Sequence, residues 1–248
     1  GRKQPQIETD YWTITETAEC YDLYFKPLLD KTPLFSCLSS MISCHNVEDI
    51  RSSAQGEPLI RVFRLPISKA CFLVHLRPEA HDPSEDWSFQ RLRREDRFAF
   101  IAWWIHPLWA TPQWETAIFD LARRQRGGVP AHTAPIKHRL LPKPPGYLHT
   151  VRDVVDLSML SELNDAIRAF VRAELGSHAL DCDMWFHYPT APEKSSLHVH
   201  FTRNVDDPEK VGEKGRHLRM SEVLRGEHLQ HRQWVYNLHP KANAWRMF

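Results

Sequence analysis

Residues 196–201 read Ser-Leu-His-Val-His-Phe, a short apolar run that carries two histidines at alternate positions. Successive side chains of a β-strand point to opposite faces of a sheet, so the apolar residues of this run face a core. The polar residues Ser196, His198 and His200 then share the other face, where a stiff strand holds them as a preorganised site. Because the chain has 15 histidines in 248 residues, a chance solvent-facing pair, a metal half-site and a hydrogen-bonded structural pair remain alternatives.

Apolar patterns elsewhere in the chain predict further strands and a long helix. The other strands are expected at residues 59–65, 70–76, 98–104, 183–188 and 233–238. From Leu157 to Leu175 apolar residues recur at steps of three and four, and Gly176 follows, which predicts an amphipathic helix behind the C-terminal sheet. We therefore expect an α+β fold, an antiparallel sheet with helices on one face.

A proline-rich stretch from Pro107 to Pro112 predicts a hinge, since proline removes a backbone donor and restricts the residue before it. We expect a smaller N-terminal domain over residues 1–110, with a sheet of its own and a role in dimerisation or as a lid. Residues 111–248 then form the domain that carries the histidines. Three aromatic residues beside the hinge are expected to make core or dimer contacts: Trp103, Trp104 and Trp109.

The composition indicates which partners and compartments to expect. A net charge of +1, from 32 basic and 31 acidic residues, gives no overall positive surface for long duplex nucleic acid and favours a small anion held in a pocket. Five cysteines without paired spacing indicate neither a disulfide framework nor a zinc ribbon. No apolar run approaches the roughly 18 residues of a membrane span, and the first residues are unlike a secretory signal. We expect an intracellular protein, cytoplasmic or nuclear, with organellar import left open and no membrane partner.

Several short blocks after the hinge occur in an order that a known family shares. The blocks are Gln113–Ile118, Ile136–His138, Val151–Val154, Trp185–Pro189, Leu197–Thr202, Arg216–Leu218 and Ser221–Val223. Together they resemble the histidine-triad (HIT) superfamily, whose signature places three histidines at alternate positions of a strand. Within it, the chain is most similar to the scavenger mRNA-decapping enzymes. The resemblance covers residues 112–240 and implies a HIT-like fold for this part of the chain.

The resemblance also implies an activity and a set of site residues. Such enzymes hydrolyse the phosphoanhydride of cap dinucleotides. We expect other dinucleoside polyphosphates and short capped RNA as related substrates. We also expect the protein to be a homodimer. The family match makes His198 the nucleophile, held by a backbone carbonyl on its other ring nitrogen, and lets His200 orient the phosphate and His187 assist the leaving group. No cofactor or metal is implied. The residues assigned to substrate binding are Lys137, Arg216, Tyr188 and Pro189.

Three departures from the family pattern bear on the assignment. The first triad position is Ser196, whose hydroxyl can donate one hydrogen bond but cannot carry imidazolium charge. Pro135 replaces an acidic residue that reads the methylated base, and residues 125–135 look like a shortened base-recognising segment. An alternative is therefore a catalytically degenerate HIT-fold protein that binds nucleotide or RNA, or is a structural subunit of a larger assembly. A third alternative is an extracellular protein that binds metal through His-x-His.

Overall fold

Eight strands form two sheets within the described part of the chain. In the computed structural model the described residues are 12–45, 50–77, 80–82, 85–125, 140–176, 181–188, 192–205, 217–226 and 234–238. The strands are β1 (Trp12–Glu16), β2 (Ile60–Arg64), β3 (Cys71–Leu76), β4 (Phe98–Ile105), β5 (Asp183–His187), β6 (His198–Arg203), β7 (His217–Arg219) and β8 (Trp234–Leu238). A six-stranded antiparallel sheet has the order β2-β3-β4-β6-β5-β7, with β2 at one edge, and β1 pairs with β8 separately. The predicted α+β class and the antiparallel sheet are confirmed.

Helices fill most of the connections between the strands. They are α1 (Ala18–Cys20), α2 (Lys26–Lys31), α3 (Ser36–Ile42), α4 (Phe89–Glu95), α5 (Pro112–Arg124), α6 (Ser158–Phe170) and α7 (Met220–Arg225). Short π-helical segments, Tyr21–Phe25 and Val171–Leu175, precede α2 and extend α6, and 3₁₀ turns lie at Val151–Asp153 and Pro192–Lys194. Within the described ranges, no helix combines the length and apolar character needed to cross a bilayer.

The helix after the proline-rich stretch is α5, and its start follows from local sequence. Thr111 is the N-cap, and its side chain accepts a hydrogen bond from the backbone N–H of Trp114. Pro112 occupies the first helical position, where its missing N–H costs nothing. The buried side of the helix includes Trp114 and Ile118, which join the main core.

The central pairing of β4 with β6 unites the two halves of the chain. Phe100 lies opposite Phe201 and Trp103 lies opposite His198 in this antiparallel pair. The strands before the hinge, β2 to β4, therefore form half of the main sheet. This corrects the expectation of a separate N-terminal sheet in residues 1–110. The reason is that β4 lies inside the sheet, paired with β3 on one side and with β6 on the other, and all eight of its residues are buried.

An aromatic cluster fills the layer between the sheet and α6. The rings of Phe100 and Phe201 stack with centroids 5.4 Å apart, and Phe170 at the end of α6 packs against them at 5.4 and 6.0 Å. These contacts confirm the predicted helix behind the strand of the two histidines. On the opposite face, Phe35 at the start of α3 packs on Trp103 at 5.3 Å. This contact brings the residue before α3 to the face of the sheet opposite α6.

A buried ion pair ties β1 to the segment that precedes α6. Arg152 Nε lies 2.8 Å from Glu16 Oε1, and both side chains are almost wholly excluded from solvent. The hydroxyl of Tyr188 also donates to the Glu16 carboxylate. Nearby, Tyr21 donates to Asp153 at 2.9 Å, so the helical segment after β1 is held at the same place. Removing one charge from such a pair leaves the other buried without compensation.

We expect Glu16→Gln to lower the free energy of unfolding by roughly 3 kcal/mol, because the Arg152 charge would stay buried without its counter-ion. Urea denaturation of parent and variant measures the change. The matched control is Asp120→Asn, which removes the carboxylate of an exposed pair with Arg123. Such a surface pair contributes little. Equal losses in the two variants would contradict a structural role for the buried pair.

A second buried polar group, His81, is held in its neutral form. Its ring packs on Trp87 with centroids 4.4 Å apart, and its Nε2 accepts the backbone N–H of Ala99 at 3.3 Å. Burial and the nearby positive charge of Arg97 lower the pKa of His81 to about 4. Because the pKa of an unfolded histidine is about 6.5, the unfolded chain takes up this proton first as the pH falls.

The protein is therefore expected to lose stability on acidification through His81. The contribution is complete above about pH 6.5 and declines as the pH falls towards 4, by an amount on the order of 3 kcal/mol. Unfolding free energies of the parent and of His81→Gln, measured between pH 7.5 and 4.5, should show a shallower decline in the variant. His45→Gln, at an exposed position, provides the control. Parallel pH profiles for all three proteins would refute the assignment.

Candidate active site

Neighbouring strands bring three histidines together. His198 and His200 lie on β6, and His187 ends β5, which pairs antiparallel with β6 so that Trp185 faces His200. One ring nitrogen from each histidine lies within 4.8 Å of the others. The three predicted imidazoles therefore form one cluster, on the face of β6 opposite the phenylalanine layer.

The ring of His198 is oriented by the backbone just before its own strand. Its Nδ1 lies 2.6 Å from the carbonyl oxygen of Ser196. A carbonyl can only accept, so Nδ1 carries the hydrogen and the neutral ring has its lone pair on Nε2. That Nε2 lies 3.4 Å from Nδ1 of His187. This is the carbonyl-held orientation expected for a nucleophilic imidazole.

Two tryptophans fix the planes of the histidine rings. Trp185 stacks on His200 with centroids 4.1 Å apart and an interplanar angle of 5°, and its edge meets His187 at 4.6 Å. Trp103 packs on His198 at 4.3 Å. Trp103 and Trp104 are buried, which confirms core contacts for both. Ring packing of this kind restricts rotation about the side-chain bonds, so the cluster is preorganised.

Behind Trp103 lies a further histidine that the sequence analysis did not identify. The indole N–H of Trp103 donates to His75 Nε2 at 3.0 Å, and Nδ1 of His75 donates to the backbone carbonyl of Leu76 at 2.9 Å. These bonds define His75 as a neutral ring that supports Trp103 from β3. The sequence alone gave little indication of this role for His75. To find it, one would need the register between β3 and β4 as well as the strand pattern.

The three histidines differ in exposure. His198 and His200 are 6% and 3% exposed, whereas His187 is partly exposed. A cavity of about 830 Å³ lies between α6, the start of β5 and α7, and Trp185 contributes to its wall.

The structure turns the hydroxyl of Ser196 towards a different partner. Its Oγ lies 2.5 Å from the hydroxyl of Tyr147, and the residue is 2% exposed. Strand β6 begins only at His198, so the alternation assumed for residues 196–201 does not extend to Ser196. Ser196 contributes its backbone carbonyl to the site, and its expected hydroxyl role at the phosphate is not supported by this placement.

The predicted substrate-binding residues are only partly described. Tyr188 is buried, and its hydroxyl donates to Glu16 beside Arg152, so it belongs to the ion-pair cluster and not to the histidines. Burial raises the pKa of this phenol. The expectation that Tyr188 contacts substrate is therefore corrected. The remaining three lie outside the described residues: Lys137, Pro189 and Arg216.

The arrangement permits two kinds of chemistry. A neutral imidazole with a directed lone pair can attack an electrophile or bind a metal ion, and neighbouring imidazoles can donate protons or further lone pairs. In comparisons with protein-family models and with curated proteins, no significant match to this chain is found. The geometry of the site itself therefore carries the functional interpretation.

We expect Ser196→His to destabilise the protein, because a ring would have to replace a hydroxyl that is buried against Tyr147. Overpacking of this kind costs about 1–3 kcal/mol. Ser196→Ala is the matched control and should cost about 1 kcal/mol through the lost hydrogen bond. Urea denaturation gives both values. A Ser196→His variant as stable as the parent would mean that the site has room for a third triad imidazole.

Proposed function

We propose that the protein hydrolyses phosphoanhydride bonds of small capped nucleotides through a covalent intermediate on His198. One observation carries the proposal: the 2.6 Å contact from Nδ1 of His198 to the Ser196 carbonyl, which leaves the Nε2 lone pair directed towards His187. A buried imidazole N–H needs an acceptor in any role. A nucleophile needs this tautomer in particular, because the other one would present an N–H to the phosphorus.

In the first step, the Nε2 lone pair of His198 attacks phosphorus and forms a P–N bond. The bond from phosphorus to the bridging oxygen breaks, and its electron pair leaves with the second nucleotide. His187 Nδ1, 3.4 Å from the attacking atom, is close enough for its protonated ring to donate a proton to that oxygen. We assign His200, which is 3% exposed and stacked on Trp185, the role of donating a hydrogen bond to a nonbridging oxygen.

In the second step, water attacks the same phosphorus and the P–N bond breaks. The electron pair returns to Nε2 of His198, and the water proton is taken up by the neutral His187 that the first step produced. The products are two nucleotides with terminal phosphates, and the ring of His198 is regenerated. Division of one substitution into two easier ones is the advantage of covalent catalysis.

The substrate class rests on the resemblance to scavenger decapping enzymes. Cap dinucleotides, other dinucleoside polyphosphates and short capped RNA all offer the required phosphoanhydride. A homodimer, an intracellular location and a HIT-like fold are parts of the same proposal.

A second candidate function is a nucleotide- or RNA-binding or structural subunit of a larger assembly. The observation that favours it is the Ser196 hydroxyl, which is occupied by Tyr147 at 2.5 Å and leaves two imidazoles on β6 where the family has three. Binding without turnover would be the signature of this alternative.

We expect His198→Asn to lose turnover by several orders of magnitude while it retains nucleotide affinity, because only the covalent route is removed. His200→Ala should lose about 10²–10³-fold through weaker charge stabilisation. Turnover is measured by chromatography of products from cap dinucleotides and dinucleoside polyphosphates, and acid-labile labelling of His198 by mass spectrometry.

The matched control is His45→Gln, an exposed histidine outside the cluster, which should leave turnover unchanged. Residual activity in His198→Asn equal to that of the parent would exclude His198 as nucleophile. A folded parent without turnover on any substrate would reject the hydrolase, and calorimetric nucleotide affinity in that case would favour the binding subunit.

A further inference from the structure

We propose that the cluster of His187, His198 and His200 is also a binding site for Zn²⁺, and that the metal reversibly blocks the nucleophile. The three rings supply one nitrogen each, and these atoms lie within 4.8 Å of one another. The metal site stands on this geometry alone. Its inhibitory effect rests on the function proposed above.

The distances in the cluster fit a tetrahedral zinc centre. Zn–N bonds of about 2.0–2.1 Å at tetrahedral angles separate two ligand nitrogens by about 3.3–3.4 Å. The observed separation between His198 Nε2 and His187 Nδ1 is 3.4 Å. All three ligand nitrogens lie within 4.8 Å of one another. A pair at that limit has to close by about 1.4 Å to reach the separation in a tetrahedral zinc centre.

The surroundings of the rings match those of metal-bound histidines. Such a ligand commonly donates its second ring N–H to a carbonyl, which fixes the tautomer and makes the other nitrogen a better ligand. His198 does this through the 2.6 Å contact with the Ser196 carbonyl. The stacking of Trp185 on His200 holds that ring in place, so little freedom is lost on metal binding.

The imidazole ligands favour zinc over magnesium and calcium. All three candidate ligands are histidines, whereas Mg²⁺ and Ca²⁺ prefer oxygen ligands. Imidazole nitrogens in a tetrahedral arrangement suit Zn²⁺. Three protein ligands leave the fourth position for water or an anion. His187 is the partly exposed member of the group, whereas His198 and His200 are buried.

Zinc and the covalent reaction need the same electron pair. A metal ion on Nε2 of His198 uses the lone pair that would attack phosphorus. Zinc at a concentration above its dissociation constant is therefore expected to abolish turnover, and a chelator is expected to restore it. The inhibition should follow the occupancy of the site, because one ion blocks one nucleophile.

The test is isothermal titration of chelator-treated protein with ZnCl₂, together with the visible absorption spectrum of the Co²⁺ form. We expect one equivalent of zinc, a tetrahedral cobalt spectrum and a zinc-dependent rise in the melting temperature of the parent protein. His187→Gln removes one of the three metal ligands and should weaken zinc binding by more than about 100-fold. Loss of a residue that only hydrogen-bonds to a ligand costs up to about 100-fold. His45→Gln should bind as the parent does.

Several results would overturn the metal site. They are the absence of a single stoichiometric site, an octahedral cobalt spectrum, or unchanged affinity in a folded His187→Gln. The parent's own cobalt spectrum and melting temperature keep the test decisive even if the variant fails to fold. Turnover assays separate the two proposals. Hydrolysis without zinc binding rejects this inference alone, whereas stoichiometric zinc binding without hydrolysis upholds the metal site and rejects the hydrolase.

Discussion

The antiparallel pairing of β4 with β6 is the constraint on which the rest of the molecule depends. It places Trp103 opposite His198 on one face and Phe100 opposite Phe201 on the other. Since side chains alternate along each strand, a shift of one residue would exchange the two faces. It would send the histidines into the phenylalanine layer. Burial on both sides of the sheet excludes that alternative, so the register that stabilises the core also assembles the site.

The histidine cluster is rigid because each ring has a packed neighbour or a backbone partner. His198 is held by the Ser196 carbonyl and by Trp103, and Trp103 is in turn held by its hydrogen bond to His75. The support therefore runs through three adjacent strands. The ring positions are therefore well defined, but the rings on β6 are buried. The partly exposed histidine, His187, lies on the neighbouring strand β5.

Sequence reasoning recovered the elements of the fold better than their arrangement. Alternation and apolar runs located five strands of the main sheet, and the three- and four-residue steps located α6. Nothing local showed that the strand ending at Ile105 would pair with the strand of His198, almost a hundred residues later, because pairing partners depend on the whole packed structure. The separate N-terminal sheet was predicted for that reason.

The candidate site shows the same division between local and distant information. The His-x-His spacing and the resemblance identified the three histidines that the structure brings together. Tyr188 was assigned to substrate binding from the resemblance, whereas its hydroxyl reaches Glu16 on the distant β1. Ser196 was misplaced because the strand begins two residues later than its pattern suggested.

The position of β2 at the edge of the main sheet also affects how copies of the chain meet. An open edge is a template for strand addition and aggregation. Here Arg61 and Arg64 project to opposite faces of that edge, and each is anchored by a glutamate, Glu174 and Glu115 respectively. Charged side chains along an edge strand are one of the features by which proteins discourage strand addition. The two ion pairs therefore keep charge on both faces of β2, a consequence for association that is separate from their small contribution to folding.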